Sequence, residues 1–99
     1  MSHEEGIMLV NAVAGALSDR AWMPEIVLKA AMDRVPEMDM HTLRMMKRMM
    51  IACEWHMGCL YSYRKCAQTA EDLLSAVSER IKELEEKRED QQNQSAVQT

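Results

Sequence analysis

The sequence feature that most constrains the fold is a run of about fifty residues, 39–88, with no proline and no cluster of turn-forming residues. Apolar or small side chains recur through this run with the alternating three- and four-residue spacing of a coiled-coil heptad. The a positions are Met46, Cys53, Leu60, Ala67, Leu74 and Ile81, and the d positions are Met49, His56, Tyr63, Ala70, Val77 and Leu84. The uninterrupted pattern predicts a single helix from about residue 40 to residue 88, on the order of 70 Å long.

The residues before this run favour two short helices. Ser2 and Glu5 have the spacing of a capping box, which predicts a helix start near His3. Pro24 suits the first turn of a second helix, which should end before Pro36. The composition agrees, because 3 Gly, 2 Pro and 11 Met are typical of helices rather than sheets. We therefore expect an all-α fold with two short N-terminal helices followed by one long C-terminal helix.

A chain of 99 residues is long enough for one domain. Within it, residues 1–38 are interpreted as the two short packing helices and residues 39–88 as a long oligomerisation helix. From residue 89 onward Gln, Asn and Ser replace the apolar residues, which predicts a disordered tail over 89–99.

A helix of this length cannot bury its own apolar stripe, and two short helices would cover its first half at best. Leaving the apolar residues of the second half in water would forfeit several kcal/mol of a marginal stability. The residues concerned are Leu74, Val77, Ile81 and Leu84. The sequence therefore predicts a homodimer or homotetramer, a coiled coil or helical bundle in which the twelve a and d residues form the interface. Arg80 and Glu85 would form the g-to-e pair of parallel helices, although antiparallel packing stays open.

The charge distribution disfavours a dedicated nucleic-acid-binding protein. The net charge is -4, and all of it comes from residues 71–99, which carry 4 Lys/Arg and 8 Asp/Glu. The odd number of cysteines, 3, favours free thiols in a reducing compartment. Residues 7–17 resemble the apolar part of a signal peptide, but the preceding residues are acidic and the segment is too short to cross a bilayer. We therefore expect a cytoplasmic protein with no membrane contact.

One cluster has the residue types of a metal or thiol site. Cys53, His56 and Cys59 resemble a ligand set, with Cys66 farther along. On one helix, however, the first three span about 120° of the surface and cannot converge on one ion. Cys53 and His56 could still meet their symmetry mates, which keeps a thiol or metal sensor as an alternative function. The simpler interpretation makes Cys53 a small core residue and His56 a polar residue that fixes register.

No catalytic function is expected, because the sequence has neither a glycine-rich phosphate loop nor a recognisable Ser/His/Asp arrangement. No cofactor and no metal are assigned.

A basic patch on the long helix, with methionine and tryptophan nearby, favours protein binding, because interface centres are enriched in arginine, methionine and aromatic residues. The candidate partner-binding residues are Trp22, Met23, Met40, Arg44, Lys47 and Arg48. The sequence thus predicts a small oligomeric protein-binding regulator or inhibitor, such as a phage or bacterial antirepressor acting on a DNA-binding protein. The alternative is a DNA-binding transcriptional regulator, dimerised by the long helix, in which Arg44, Lys47 and Arg48 contact phosphates.

Overall fold

The computed structural model describes residues 1–18, 23–57 and 67–97, and these ranges are helical without any β-strand. The helices are α1 (His3–Leu17), α2 (Pro24–Arg34), α3 (Met40–Met57) and α4 (Ala67–Val97), and a short 3₁₀ helix, Val35–Glu37, follows α2. The all-α class predicted from the sequence is confirmed. The number of helices differs from the prediction, because the region expected to be one helix contains both α3 and α4.

The helix ends follow local signals in the sequence. At the start of α1 the hydroxyl of Ser2 accepts a hydrogen bond from the Glu5 amide at 3.2 Å. Pro24 occupies the first turn of α2, where its missing N–H costs nothing. The Asp39 carboxylate accepts a hydrogen bond from the Thr42 amide at 2.8 Å and so caps α3. All three starts were predicted from the sequence.

The prediction of one continuous helix over 39–88 is wrong. The Arg44 Nη2 atom lies 3.5 Å from Glu85 Oε1, whereas a straight helix would place these residues roughly 60 Å apart. The same ion pair fixes the direction of α4. If α4 ran parallel to α3, Met57 and Ala67 would be about 46 Å apart, but the chain between them can reach only about 36 Å. The two helices therefore run in opposite directions.

The four helices share one hydrophobic core. Helix α1 packs against α2 and α3, and α4 packs against the same two helices. Val77 is completely buried and Ile81 is 8% exposed, while Leu74 and Leu84 are half-buried against the same core. The second half of the apolar stripe is thus covered within the chain. The argument that it needs another chain fails because α4 turns back and packs against α2.

An ion-pair network ties the ends of α1 and α2 together. The guanidinium of Arg34 lies 3.2 Å from Glu5 and 2.9 Å from Glu37. These two carboxylates raise the pKa of Arg34 above its usual value, the hydrogen bond to Glu37 contributing most. The Glu5 carboxylate is therefore engaged by α2 rather than by the start of its own helix.

Helices α1 and α3 approach each other closely at one point. A Cβ atom at Gly6 would lie 2.5 Å from Thr42 Oγ1 and 3.1 Å from Thr42 Cγ2, which leaves no room for a side chain. Gly15, in the same helix, has no such neighbour within 4 Å. Of the two glycines in α1, Gly6 is therefore the one that packing requires.

Helix α4 continues well beyond the core. The sequence predicts disorder over 89–99, and the structure instead has helix as far as Val97. The Glu, Lys, Arg and Gln residues of this segment are good helix formers, and the preceding turns already provide the nucleus. Residues 85–88 are all exposed, so no side of the helix is covered there. None of the helices within the described ranges is both long enough and apolar enough to cross a membrane.

Candidate functional site: the outer face of α3

The outer face of α3 carries basic side chains beside an exposed apolar one. Leu43, Met46 and Met50 are fully buried on one side of α3. The opposite side of the helix therefore faces solvent. We call that side the α3 strip; its members are His41, Arg44, Lys47, Arg48 and Ile51. All are exposed except Lys47, which is half-buried. No acidic residue occurs between Met40 and Ala52, so the strip can attract anionic groups.

The positive charge of the strip is only partly neutralised inside the chain. Arg44 pairs with Glu85 at 3.5 Å, but both side chains are about half exposed, at 50% and 52%. An exposed pair of this kind contributes at most about 1 kcal/mol and is easily exchanged for another partner. Lys47 and Arg48 form no ion pair with any residue in the described ranges. These two cations remain available to a ligand.

Helix α1 adds an apolar border to the strip. The imidazole rings of His3 and His41 lie 5.4 Å apart, which places the starts of α1 and α3 side by side. One turn farther along the two helices come Ile7, 38% exposed, and Met45, half-buried. Met45 lines a shallow pocket with His41, Arg44 and Arg48. The site therefore combines cationic and apolar surface, as protein interfaces do.

Asp39 holds the first turn of the strip in place. Hydrogen bonds from the Thr42 side chain and then from the Thr42 amide lower the pKa of the Asp39 carboxyl, and His41 and His3 add smaller contributions. The charged carboxylate also favours the positive end of the α3 dipole. Asp39 is a capping residue that positions the strip.

The structure assembles part of the predicted partner-binding set. Arg44, Lys47 and Arg48 share one region of α3, and Met40 is half-buried against the core beside them. Met23 is 54% exposed and lies at the start of α2. The chain continues toward α3 from the opposite end of α2, which is about 16 Å away because the helix is 11 residues long. Met23 is therefore not part of the strip. Trp22 lies outside the described residues.

Sequence reasoning missed two apolar members of the surface. Ile51 occupies the f position of the predicted heptad, which points outward, and this apolar outward residue was an available signal. Ile7 belongs to the apolar segment 7–17 of the sequence but is 38% exposed. Its place beside α3 depends on tertiary packing, which the sequence does not display.

The residues predicted to form the oligomer interface are largely used within the chain. Met46, Ala70, Val77 and Ile81 are buried in the core, and Met49, Leu74 and Leu84 pack against it. The side chains of Cys53, His56, Leu60, Tyr63 and Ala67 lie outside the described part. Arg80, predicted to pair with Glu85 of another copy, instead lies 3.1 Å from Glu83 of its own helix.

The predicted metal or thiol cluster cannot be placed, because the side chains of Cys53, His56, Cys59 and Cys66 fall outside the described residues. Elsewhere in the described ranges no three His, Cys, Asp or Glu side chains come together as a metal site.

Comparison with known proteins adds no relative. No family model, no curated protein and no solved structure gives a significant match to this chain.

Proposed function

We propose that the chain is a small protein-binding regulator or inhibitor that docks the α3 strip onto an acidic surface of another protein. The observation that carries the proposal is that exposed Arg48 and half-buried Lys47, without ion-pair partners in the described ranges, lie beside exposed Ile51. Cations beside apolar area form a surface that an acidic protein can desolvate and pair with. An antirepressor that disables a DNA-binding protein would be one role of this kind.

Electrostatics favours a protein over a nucleic acid as the partner. The strip borders α4, whose Glu85 already engages Arg44, and the chain as a whole has a net charge of -4. A DNA backbone would meet these carboxylates as well as the basic residues, whereas a protein can present a local acidic patch of matching size. Ile7, Met45 and Ile51 also offer apolar contacts that phosphates do not use.

The test is capture of the target from the native host with the full chain, followed by identification of the partner and measurement of its stoichiometry. The wild type is compared with the double variant Lys47→Glu with Arg48→Glu, which reverses two charges of the strip that form no ion pair with a described residue. We expect the identified partner to be lost with the variant. The matched control is Lys29→Glu with Lys87→Glu, which makes the same change in charge on α2 and α4 and should retain the partner.

A DNA mobility-shift assay on the same three proteins tests the alternative function, DNA binding by the α3 strip. If the wild type shifts DNA in a salt-dependent way and the Lys47→Glu, Arg48→Glu variant does not, the strip contacts phosphates and the proposal is wrong. Equal capture of the protein partner by wild type and variant would also contradict it.

A further inference from the structure

Helix α4 carries an acidic outer face. Leu73, Val77 and Ile81 are buried, and the opposite side of the helix is exposed. We call that side the α4 strip; its members are Asp72, Glu79, Lys82, Glu83 and Glu86. Four of the five are carboxylates, and Glu79 and Glu86 form no ion pair with a described residue. The last four members also line a shallow surface pocket.

The two strips have opposite charge, and the α4 strip is the longer of the two. The α3 strip runs from His41 to Ile51, about 15 Å, and the α4 strip from Asp72 to Glu86, about 21 Å. Both point away from the core, and among the described residues the ion pair between α3 and α4 joins Arg44 to Glu85, which lies beside the α4 strip. Within the α4 strip, Glu83 pairs with Arg80 and Asp72 accepts a hydrogen bond from Gln68. Glu79, Lys82 and Glu86, like Lys47 and Arg48 of the α3 strip, form no ion pair with a described residue and can pair with another molecule.

We infer that two copies of the chain associate by packing the α3 strip of each against the α4 strip of the other. The inference rests on the proposed function in one respect, since it uses the α3 strip as a binding surface, and it names a second copy as a partner of that surface. The described part of the predicted heptad seam is not the contact, because Met46, Val77 and Ile81 are already buried. Charge complementarity between exposed faces takes its place.

An association of this kind is sensitive to salt. The Debye length is about 10 Å at 0.1 M and about 3 Å at 1 M, so concentrated salt screens pairs between exposed charges. Sedimentation equilibrium of the pure full chain at about 100 μM should therefore show dimer in dilute salt and monomer in 1 M sodium chloride.

The decisive experiment is a charge swap followed by sedimentation. Lys47→Glu with Arg48→Glu makes both strips acidic, and Glu79→Lys with Glu86→Lys makes both strips basic. Each double variant alone should associate at least about tenfold more weakly than the wild type, because like charges then face each other. An equimolar mixture of the two should regain association, since every contact again joins opposite charges.

A control pair separates this contact from general attraction between unlike charges. Lys29→Glu with Lys87→Glu and Glu25→Lys with Glu71→Lys make the same changes in net charge at exposed positions outside both strips. Each control should dimerise like the wild type. The inference is overturned if the control variants behave like the strip variants, if the mixture stays monomeric, or if the wild type is monomeric in dilute salt. A monomeric wild type that still captures its target through Lys47 and Arg48 would leave the proposed function standing.

Discussion

Substituting the two glycines of α1 with alanine tests the close contact between α1 and α3. Both residues lie inside the same helix, where alanine is favoured over glycine by about 0.5–1 kcal/mol. At Gly15 a Cβ meets no side chain and no backbone of another element within 4 Å, so Gly15→Ala should raise the free energy of unfolding by that amount. At Gly6 the new Cβ would lie 2.5 Å from the Thr42 hydroxyl oxygen.

The difference between the two variants gives the magnitude of the clash. Because the helix-propensity gain is common to both, it cancels, and the remainder is the overpacking cost of about 1–3 kcal/mol at Gly6. In a chain of this size each kcal/mol corresponds to roughly 4–8 °C in Tm. Urea and thermal unfolding should therefore rank Gly15→Ala above the wild type and Gly6→Ala at least about 4 °C below Gly15→Ala.

A double-mutant cycle identifies Thr42 as the cause. Thr42→Ala removes Oγ1 and Cγ2, and the nearest remaining atom to a Cβ at Gly6 is Thr42 Cβ at 3.4 Å. Gly6→Ala should therefore be less destabilising in the Thr42→Ala background, with a coupling of about 1 kcal/mol or more. Equal stability of Gly6→Ala and Gly15→Ala, or no coupling to Thr42, would refute the close approach of the two helices.

Asp39, Leu43 and the contact between Arg44 and Glu85 give further predictions. Asp39→Ala should lower the free energy of unfolding by about 0.5–2 kcal/mol at pH 7. Asp39→Asn should lower it by less, because asparagine can still cap α3. Equal losses of the two variants in urea unfolding would show that Asp39 does not cap the helix. Because the folded-state pKa of Asp39 is depressed below its usual 3.8, its contribution is present above that value and is lost as the pH falls through the lower, folded-state pKa. As the pH is lowered from 5 through 3.8 and below, wild type should therefore lose more stability than Asp39→Asn, and parallel losses would contradict the assignment. Leu43→Ala should lower the free energy of unfolding by about 2–5 kcal/mol, because Leu43 is fully buried. Since the core belongs to one chain, the unfolding midpoints of wild type and variant in high salt should not depend on protein concentration. Spin labels on Arg44→Cys and Glu85→Cys, with the native cysteines replaced by serine, should lie within about 20 Å, whereas a single long helix would separate the two residues by roughly 60 Å.

Local features of the fold were predictable because their causes lie within a few residues. Ser2, Pro24 and Asp39 mark helix starts by their own hydrogen-bonding chemistry or ring geometry, and the structure has helices beginning beside each of them. The apolar spacing of Val77 and Ile81 likewise identified residues that must be buried.

The return of α4 onto α3 was not predictable from the same pattern. A heptad stripe is satisfied equally by a second chain and by the same chain packed antiparallel on itself, and Gly58 is the only glycine between residues 39 and 88. The choice depends on how much surface α2 offers to α4, which is a tertiary property.

The candidate site likewise has members that the sequence reveals and members that only tertiary packing brings together. The basic residues Arg44, Lys47 and Arg48 are neighbours in sequence and were recognised together. Ile7 and His3 join them only because α1 packs alongside α3 at Gly6, and Met23 leaves the group because α2 carries it toward the other end of the molecule.

The exposed end of α4 has a consequence for local unfolding. Beyond Leu84, residues 85–88 are all exposed and Glu85 contacts α3 through its half-exposed ion pair with Arg44, yet the backbone remains helical to Val97. Amide protons there should exchange with solvent deuterium within a small fraction of the time needed around Leu73, and protection should fall progressively toward Val97 as the end frays. A fluorophore or affinity tag attached after this segment would therefore report on the molecule without disturbing its packed interior.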